Sequence, residues 1–394
     1  MQKYGGSSVA DTDKIFIVAK KIRRKVKQGY KVAVVVSAMG KTTDNLIGLA
    51  KKINPYPAGR ELDMLLATGE QASAALLSMA LNKMNVKSKS LNAFQAGIVT
   101  EGNFNEARIR DFNSRKIHKL FKVNEVIVIT GFQGITSDGE LTTLGRGGSD
   151  TSAIALAVSL KAKCEIYSDV AGIYSTDPRL FPAAKKREFV SYDEMLELSA
   201  SGAKVLHSRS VEIAKKFNIA IYCASTFSDE KGSYVMNEDK IIEKAVVTGL
   251  TVQENQTQVI LKNLPLNYSL VRKLFQRVAL AGLNVDMISI ITDAAGLTVS
   301  FTIIDESKSH LDKALKRVLK DLSDYSIEFH PGFLKISVVG IGMKTSTGVA
   351  SDFFIAMKDV PFRLVTTSEI KISCLIEHKH LKKAVRSLAK KFKL

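Results

Sequence analysis

Three segments of the 394-residue chain carry residue types suited to a phosphorylated ligand. The first is Lys3-Tyr4-Gly5-Gly6-Ser7-Ser8, just ahead of a predicted helix. Adjacent glycines let backbone N–H groups approach an anion, a helix N-terminus adds favourable partial charge, and Lys3 supplies a full positive charge. The lysine precedes the glycines, so this is not a Walker A motif, and a double glycine also reads as a plain turn. The second segment is Thr143-Leu144-Gly145-Arg146-Gly147-Gly148-Ser149-Asp150, again between a predicted strand and a predicted helix. Arg146 offers a fork for a carboxylate, and Gly147 and Gly148 offer amides to phosphate. Asp150 reads either as a helix N-cap or as an organiser of nearby lysines. The third, Tyr167 to Arg179, is a long loop after a strand. It is either a turn fixed by Gly172 and Pro178 or a nucleotide loop, with Tyr174 against base or sugar and Arg179 near phosphate. Two glycine-rich strand-to-helix turns bearing Lys and Arg favour phosphoryl transfer, which works by positioning and electrostatics.

Those turns need a scaffold of alternating strands and helices, and the first ~240 residues supply that α/β rhythm. Ile15, Val18, Ile22 and Val26 mark an amphipathic helix that stops at Gly29. Runs 31–37, 125–130 and 164–168 read as buried strands of a mainly parallel sheet sandwiched by helices. Long helices are expected at 70–83, 150–160 and 203–217. After about residue 245 two smaller α+β units follow at a spacing of ~70 residues, the mark of an internal duplication. In the first, strands at 259–262, 285–291 and 297–304 accompany helices at 269–281 and 311–322. In the second, strands at 334–339, 362–366 and 371–376 accompany helices at 349–357 and 381–392. The expected domains are a catalytic domain over 1–240 and regulatory units over 250–325 and 332–394.

Hydrophobic residues make up 45% and charged residues 24% of the chain, a normal globular balance. No run approaches the ~18 apolar residues of a membrane span, and the polar start is not a signal peptide, so no membrane partner is expected. Cys164, Cys223 and Cys374 are odd in number and widely spaced, which argues against a disulfide framework and for the reducing cytoplasm. The net charge of +18 raises nucleic acid as a partner, but no stacking pattern or recognition motif accompanies it. Six histidines show no ligand spacing; His378 and His380 stand two apart. No protein metal site is expected.

Taken in order, KYGGSSV (3–9), VVSAMGKTTDNL (35–46), TGEQ (68–71), QAGIVT (95–100), LGRGGSDTSA (144–153), DVAGIYSTDPR (169–179) and GAKVLHSRSVEIA (202–214) resemble the aspartokinases. VGIGM (339–343), GVA (348–350) and TSEIKIS (367–373) resemble that family's paired ACT units. The resemblance implies an amino-acid-kinase-like fold with two ferredoxin-like ACT units. It implies ATP-dependent phosphorylation of the L-aspartate side chain to 4-phospho-L-aspartate, opening lysine, threonine, methionine and diaminopimelate biosynthesis. It implies Lys3 and Lys204 on the phosphates, positioned by Asp150, with amides from Gly5, Gly6, Gly147 and Gly148. Ser37, Thr43, Glu70, Arg146 and Ser149 would surround aspartate, Glu70 on its ammonium and Arg146 on a carboxylate. Ser168, Asp169, Tyr174, Asp177 and Arg179 would surround the nucleotide, with Mg²⁺ held mainly through its phosphates. Glu70 keeps a second reading, as a helix-start carboxylate satisfied by backbone amides.

Departures from the pattern carry their own expectations. Met1 stands two residues before Lys3, so either the start is trimmed or the first strand is short, which would loosen the placement of Lys3. Ser208 replaces the usual proline after histidine. Leu264 to Ser269 replaces an Asp-x-Pro-Gly-like turn, Thr347 replaces a proline, and Pro361-Phe362 replaces Asn-Ile on the effector-facing strand. Proline has no N–H, so feedback by lysine or threonine should be weakened or altered. A homodimer through the ACT-like units is expected, and a fusion to homoserine dehydrogenase is not. Rival readings are a related kinase for acetylglutamate, glutamate, carbamate or UMP, and a non-catalytic amino-acid sensor.

Overall fold

The computed structural model describes residues 1–237, 245–294, 296–322 and 324–394. Two compact units share the chain, and they do not follow one another in sequence. One comprises Met1–Ile173, Lys186–Ala200 and the described residues from Lys204 to 237. The other comprises Tyr174–Lys185, Ser201–Ala203 and the described residues from 245 onward. The division expected at residue 240 is therefore not sequential, and 240 itself lies outside the described residues.

The first unit is built on an eight-stranded sheet. Its strands are β1 (Gln2–Tyr4), β2 (Val32–Val36), β3 (Ser88–Leu91), β4 (Val126–Thr130), β5 (Cys164–Ser168), β6 (Phe189–Ser191), β7 (Ile221–Ser225) and β8 (Ser233–Met236). The spatial order is β6-β8-β7-β5-β1-β2-β4-β3. Every pairing is parallel except β7 with β8. Each residue of β2 (VAVVV) and β4 (VIVIT) is buried, as a sheet covered on both faces requires.

Around the sheet stand α1 (Thr12–Lys27), α2 (Thr42–Ile53), α3 (Gly59–Leu66), α4 (Thr68–Lys83), α5 (Gly148–Leu160) and α6 (Ser208–Lys216). The helix expected over 203–217 starts late, at Ser208, behind a non-helical stretch. Strand alternation sorts the faces. Tyr4, Val34 and Val36 pack with Ile15, Val18 and Ile22 of α1 and Leu77 and Leu81 of α4. Ala33, Val35, Ile127 and Ile129 pack on the opposite face with Ala153 and Leu156 of α5. One correction concerns apolar length: Gly59–Lys83 is long and apolar enough to cross a membrane. Yet α4 buries Ala74, Leu77, Ala80 and Leu81 in the core just described.

β1 has three residues and is central. Lys3 sits between Val35 of β2 and Ile166 of β5, and the Met1 ammonium donates to the Lys163 carbonyl at 2.8 Å.

The second unit has a six-stranded antiparallel sheet. Its strands are β9 (Gly249–Leu264), β10 (Asp286–Asp293), β11 (Gly296–Ile304), β12 (Ser326–Val339), β13 (Phe362–Ser368) and β14 (Lys371–Glu377), ordered β10-β11-β9-β12-β14-β13. Helices α7 (Tyr268–Leu280), α8 (Lys308–Leu319), α9 (Val349–Ala356) and α10 (Leu381–Lys391) accompany it. The duplicated units do not have separate sheets, because β9 and β12 are long strands shared by both. Residues 256–264 of β9 pair with β11, while 249–253 pair with the 335–339 half of β12.

The segment 174–185 belongs to this unit by its contacts. Leu180 and Phe181 pack against a core of Leu250, Leu334, Ile336, Phe353, Val385 and Leu388. The Leu250 amide donates to the Ser175 carbonyl at 2.7 Å, and Lys185 Nζ donates to the Lys393 carbonyl at 2.6 Å. Gly202, at φ +111°, lies where a Cβ would stand 2.7 Å from the Val252 carbonyl oxygen.

Candidate active site

The carboxyl ends of β1, β2, β4 and β5 meet in the middle of the sheet, where open α/β sheets bind ligands. Because side chains alternate along β1, Lys3 projects away from the Tyr4 face, toward α5. There it meets Asp150 in the first turn of α5, Nζ to Oδ1 2.5 Å, with both side chains nearly buried. Gly147 precedes the helix as its N-terminal flanking residue, so Asp150 is inside the first turn and is not the N-cap.

Glu70 enters from α4 and is 3% exposed. One carboxylate oxygen accepts the Ala38 amide at 2.9 Å, and the other has no hydrogen-bond partner. Burial pushes its pKa up to about 7, against the opposing pull of the Ala38 and Glu70 backbone amides. Full satisfaction by backbone amides, the alternative reading, therefore does not hold. Ser37 follows β2; its amide donates to the Tyr4 carbonyl at 3.2 Å and its carbonyl accepts the Ser73 hydroxyl at 2.7 Å. Thr43 is half-buried in the first turn of α2. Ser149 is buried beside Gly131, just past β4.

The glycine turns divide their labour differently from the expectation. The Gly5 amide is already bonded to the Tyr167 carbonyl (3.2 Å) and the Gly148 amide to the Gly145 carbonyl (3.0 Å). These two hold the turns together. The Gly6 and Gly147 amides donate no hydrogen bond among the described residues, which leaves them available to an anion. Gly6 backs so closely onto β2 that a Cβ would stand 2.8 Å from the Ala38 carbonyl oxygen. Arg146 and Lys204 are exposed, and neither forms an ion pair among the described residues. The expected contact of Asp150 with Lys204 is thus not made, whereas that with Lys3 is.

Ser168 ends β5, where its carbonyl accepts the Thr226 amide at 2.8 Å, and Asp169 beyond it is exposed. Tyr174, Asp177 and Arg179 fall on the segment that folds with the second unit. There the Arg179 guanidinium binds the Asp177 carboxylate, Nη2 to Oδ2 2.7 Å.

Three residues of the site are not evident from the motifs. Asp63 of α3 is fully buried and accepts the Asn105 amide (2.9 Å), the Thr143 amide (2.8 Å) and the Thr143 hydroxyl (2.5 Å). Arg209 of α6 donates to the carbonyls of Leu144 and Ala107, both at 2.9 Å. His207, ahead of α6, packs on Gly147 so closely that a Cβ there would be 2.2 Å from its ring. The sequence hint for Asp63 is a carboxylate set between Leu62 and Met64-Leu65-Leu66; Arg209 and His207 lie inside GAKVLHSRSVEIA with nothing to mark their partners.

Among the described residues no group of three or more His, Cys, Asp or Glu could hold a metal ion. Compared with known proteins, residues 2–225 match the amino acid kinase family and residues 336–392 match an ACT domain. The chain is 42% identical to an aspartokinase from Bacillus sp. (strain MGA3), over 100% of this chain and 97% of that protein. It is 41% identical to aspartokinase 2 of Bacillus subtilis (strain 168), with the same coverage of 100% and 97%. Its fold is similar to that of E. coli aspartokinase III in complex with aspartate and ADP (R-state), at a TM-score of 0.84 and 23% identity. That likeness covers 100% of this chain and 99% of the other.

Proposed function

The chain belongs to the aspartokinases of the amino acid kinase family, and from that premise we propose that it transfers the γ-phosphoryl group of ATP to the side-chain carboxylate of L-aspartate. The observation that supports it best is the pair of buried charged groups Lys3, on β1, and Glu70, bonded to the Ala38 amide just past β2. Lys3 stands beside the Gly5-Gly6 turn, and Glu70 has one oxygen unengaged. An amino-acid substrate needs an anionic seat for its ammonium; the transferring phosphoryl group needs cations and amides. Glu70 fits the first need and Lys3 with Gly6 and Gly147 the second.

A carboxylate is already ionised near neutral pH, so no general base is required. Its oxygen forms a bond to the γ-phosphorus while the bond from that phosphorus to the β–γ bridging oxygen breaks, and the electron pair leaves on ADP. The product is 4-phospho-L-aspartate, which opens the lysine, threonine, methionine and diaminopimelate routes. Lys3, held by Asp150, screens the two anions, with Arg146 on a substrate carboxylate and Lys204 on the phosphates. Thr43 and Ser149 line the aspartate side. Ser168, Asp169, Tyr174, Asp177 and Arg179 are assigned to the nucleotide. Mg²⁺ would be carried on the nucleotide phosphates, where it would supply charge neutralisation for the transferring group.

Coupled ADP release with Mg²⁺-ATP is the test: turnover that requires aspartate supports the reading. ADP formed with acetylglutamate, glutamate, carbamate or UMP in place of aspartate would overturn it.

The second unit is assigned to regulation, with a homodimer formed through it. Ile288, Ile290 and Ile291 are exposed on β10, an edge strand, and give such a contact an apolar surface. Pro361 stands immediately before β13, and Asn267 caps α7 by accepting the Ser269 amide at 2.9 Å, in place of the family's turn. Weakened feedback follows, and inhibition by micromolar lysine or threonine would overturn it. The cytoplasm is the proposed location. All three cysteines are buried and free, and burial pushes Cys164 and Cys374 up to about 12, which leaves them inert as thiols.

A further inference from the structure

Arg209 is half-buried, and among the described residues it forms no ion pair with a carboxylate. Its guanidinium instead joins two backbone carbonyls distant in sequence from it and from each other, Leu144 and Ala107. An arginine cannot shed its proton to escape burial, so a folded protein keeps one in such a place only where it is well hydrogen-bonded.

What it holds is the hinge of the glycine-rich turn. Leu144 is the last residue before Gly145-Arg146-Gly147-Gly148, and its amide is fixed to the Phe132 carbonyl at 2.8 Å. Ala107 sits opposite, its amide bonded to the Thr143 carbonyl at 3.0 Å. Asp63 clamps the Thr143 amide and hydroxyl from the α3 side. At the far end of the turn, His207, two residues before Arg209 and just ahead of α6, packs on Gly147. The start of α6 thus grips the turn at both ends, through Arg209 at Leu144 and through His207 at Gly147.

We propose that Arg209 is a positioning residue for the nucleotide: it fixes Leu144 so that the Gly147 amide and the first turn of α5 face the phosphates. The inference rests on the function proposed above, in that the glycine turn is taken as the phosphate seat. The guanidinium also puts a positive charge on the Leu144 carbonyl, one residue before Gly145, which favours an anion seated on the turn.

The test compares the unsubstituted protein with Arg209→Lys and Arg209→Ala, each first shown to melt cooperatively. Two readouts are taken, ADP binding by calorimetry and steady-state kcat and KM for Mg²⁺-ATP. The expected result is an ADP Kd raised at least ~10-fold in Arg209→Ala, less in Arg209→Lys, with saturable recovery by added methylguanidinium. A cooperative Arg209→Ala protein that binds ADP within twofold of the unsubstituted protein overturns the inference. So does a loss that methylguanidinium does not restore, since that is the mark of a merely structural arginine. Absence of aspartate-dependent turnover in the unsubstituted protein would strike the proposed function alone, because ADP binding reads the Arg209 inference without catalysis.

Discussion

A carboxylate shut away from water, as Glu70 is, makes both stability and substrate capture depend on pH. Its pKa of about 7 in the folded protein exceeds the ordinary 4.5. Between those values the folded chain holds a proton that the unfolded chain has lost, so stability falls as pH rises through the window. At ~1.4 kcal/mol per unit the ceiling on that cost is ~3.5 kcal/mol. Ligand-free Glu70→Gln should therefore melt higher than the parent at pH 8 and nearly level with it at pH 4.5; an equal difference at both pH values would reject the assignment. The substrate ammonium needs the ionised form, so kcat/KM for aspartate should drop by up to ~10-fold per pH unit below about 7. Lys3→Met should cost ~10²–10³ in rate, as loss of one charge-stabilising donor does. It also strands Asp150 buried without its cation, at ~3–5 kcal/mol. Adding Asp150→Asn should restore melting without restoring turnover, which separates the two roles of the pair. Lys3 and Asp150 were legible in the sequence through the glycine-rich turns that carry them, and Glu70 only through the family resemblance of TGEQ. Asp63 and Arg209 were not, because their partners are backbone groups at Asn105, Ala107, Thr143 and Leu144, and a backbone carbonyl has no signature in a sequence.

Elements with a strong apolar period were the easiest to read: the structure has β2, β4, β5 and α4 within two residues of where the sequence puts them. Where the reading failed, long-range pairing decided. β9 and β12 run well beyond their apolar stretches because each pairs with strands of both duplicated halves, and Gln253, Gln256 and Gln258 are held in β9 by that ladder. The helix expected from 203 begins only at Ser208, since Ser201–Ala203 is claimed by the second unit. The glycine turn of 145–148 offers an element-scale test. Gly147 has φ +71° and lies against the His207 ring, so Gly147→Ala meets both a left-handed backbone penalty of ~1–2 kcal/mol and a steric overlap. A lower melting temperature together with weakened ADP binding is expected; unchanged ADP affinity would show that the turn does not receive the nucleotide.

At the scale of the whole molecule, the feature that matters most is that a piece of the kinase chain, Tyr174–Lys185, completes the second unit's core. Deleting α10 removes Leu381, Val385 and Leu388 from the core that holds Leu180 and Phe181. Limited proteolysis of a chain stopped before Leu381 should therefore cut first within 174–185, a site protected in the full chain; identical cleavage patterns would refute the dependence. The same arrangement bears on how the protein is made. A ribosome delivers residues 174–185 about two hundred residues before Lys393, whose carbonyl accepts the Lys185 ammonium. Domains ordinarily fold in turn as they emerge. Here the nascent kinase half must carry Leu180 and Phe181 without their partners until residues 381–393 emerge, so this stretch is where a stalled or truncated product would first attract chaperones and proteases.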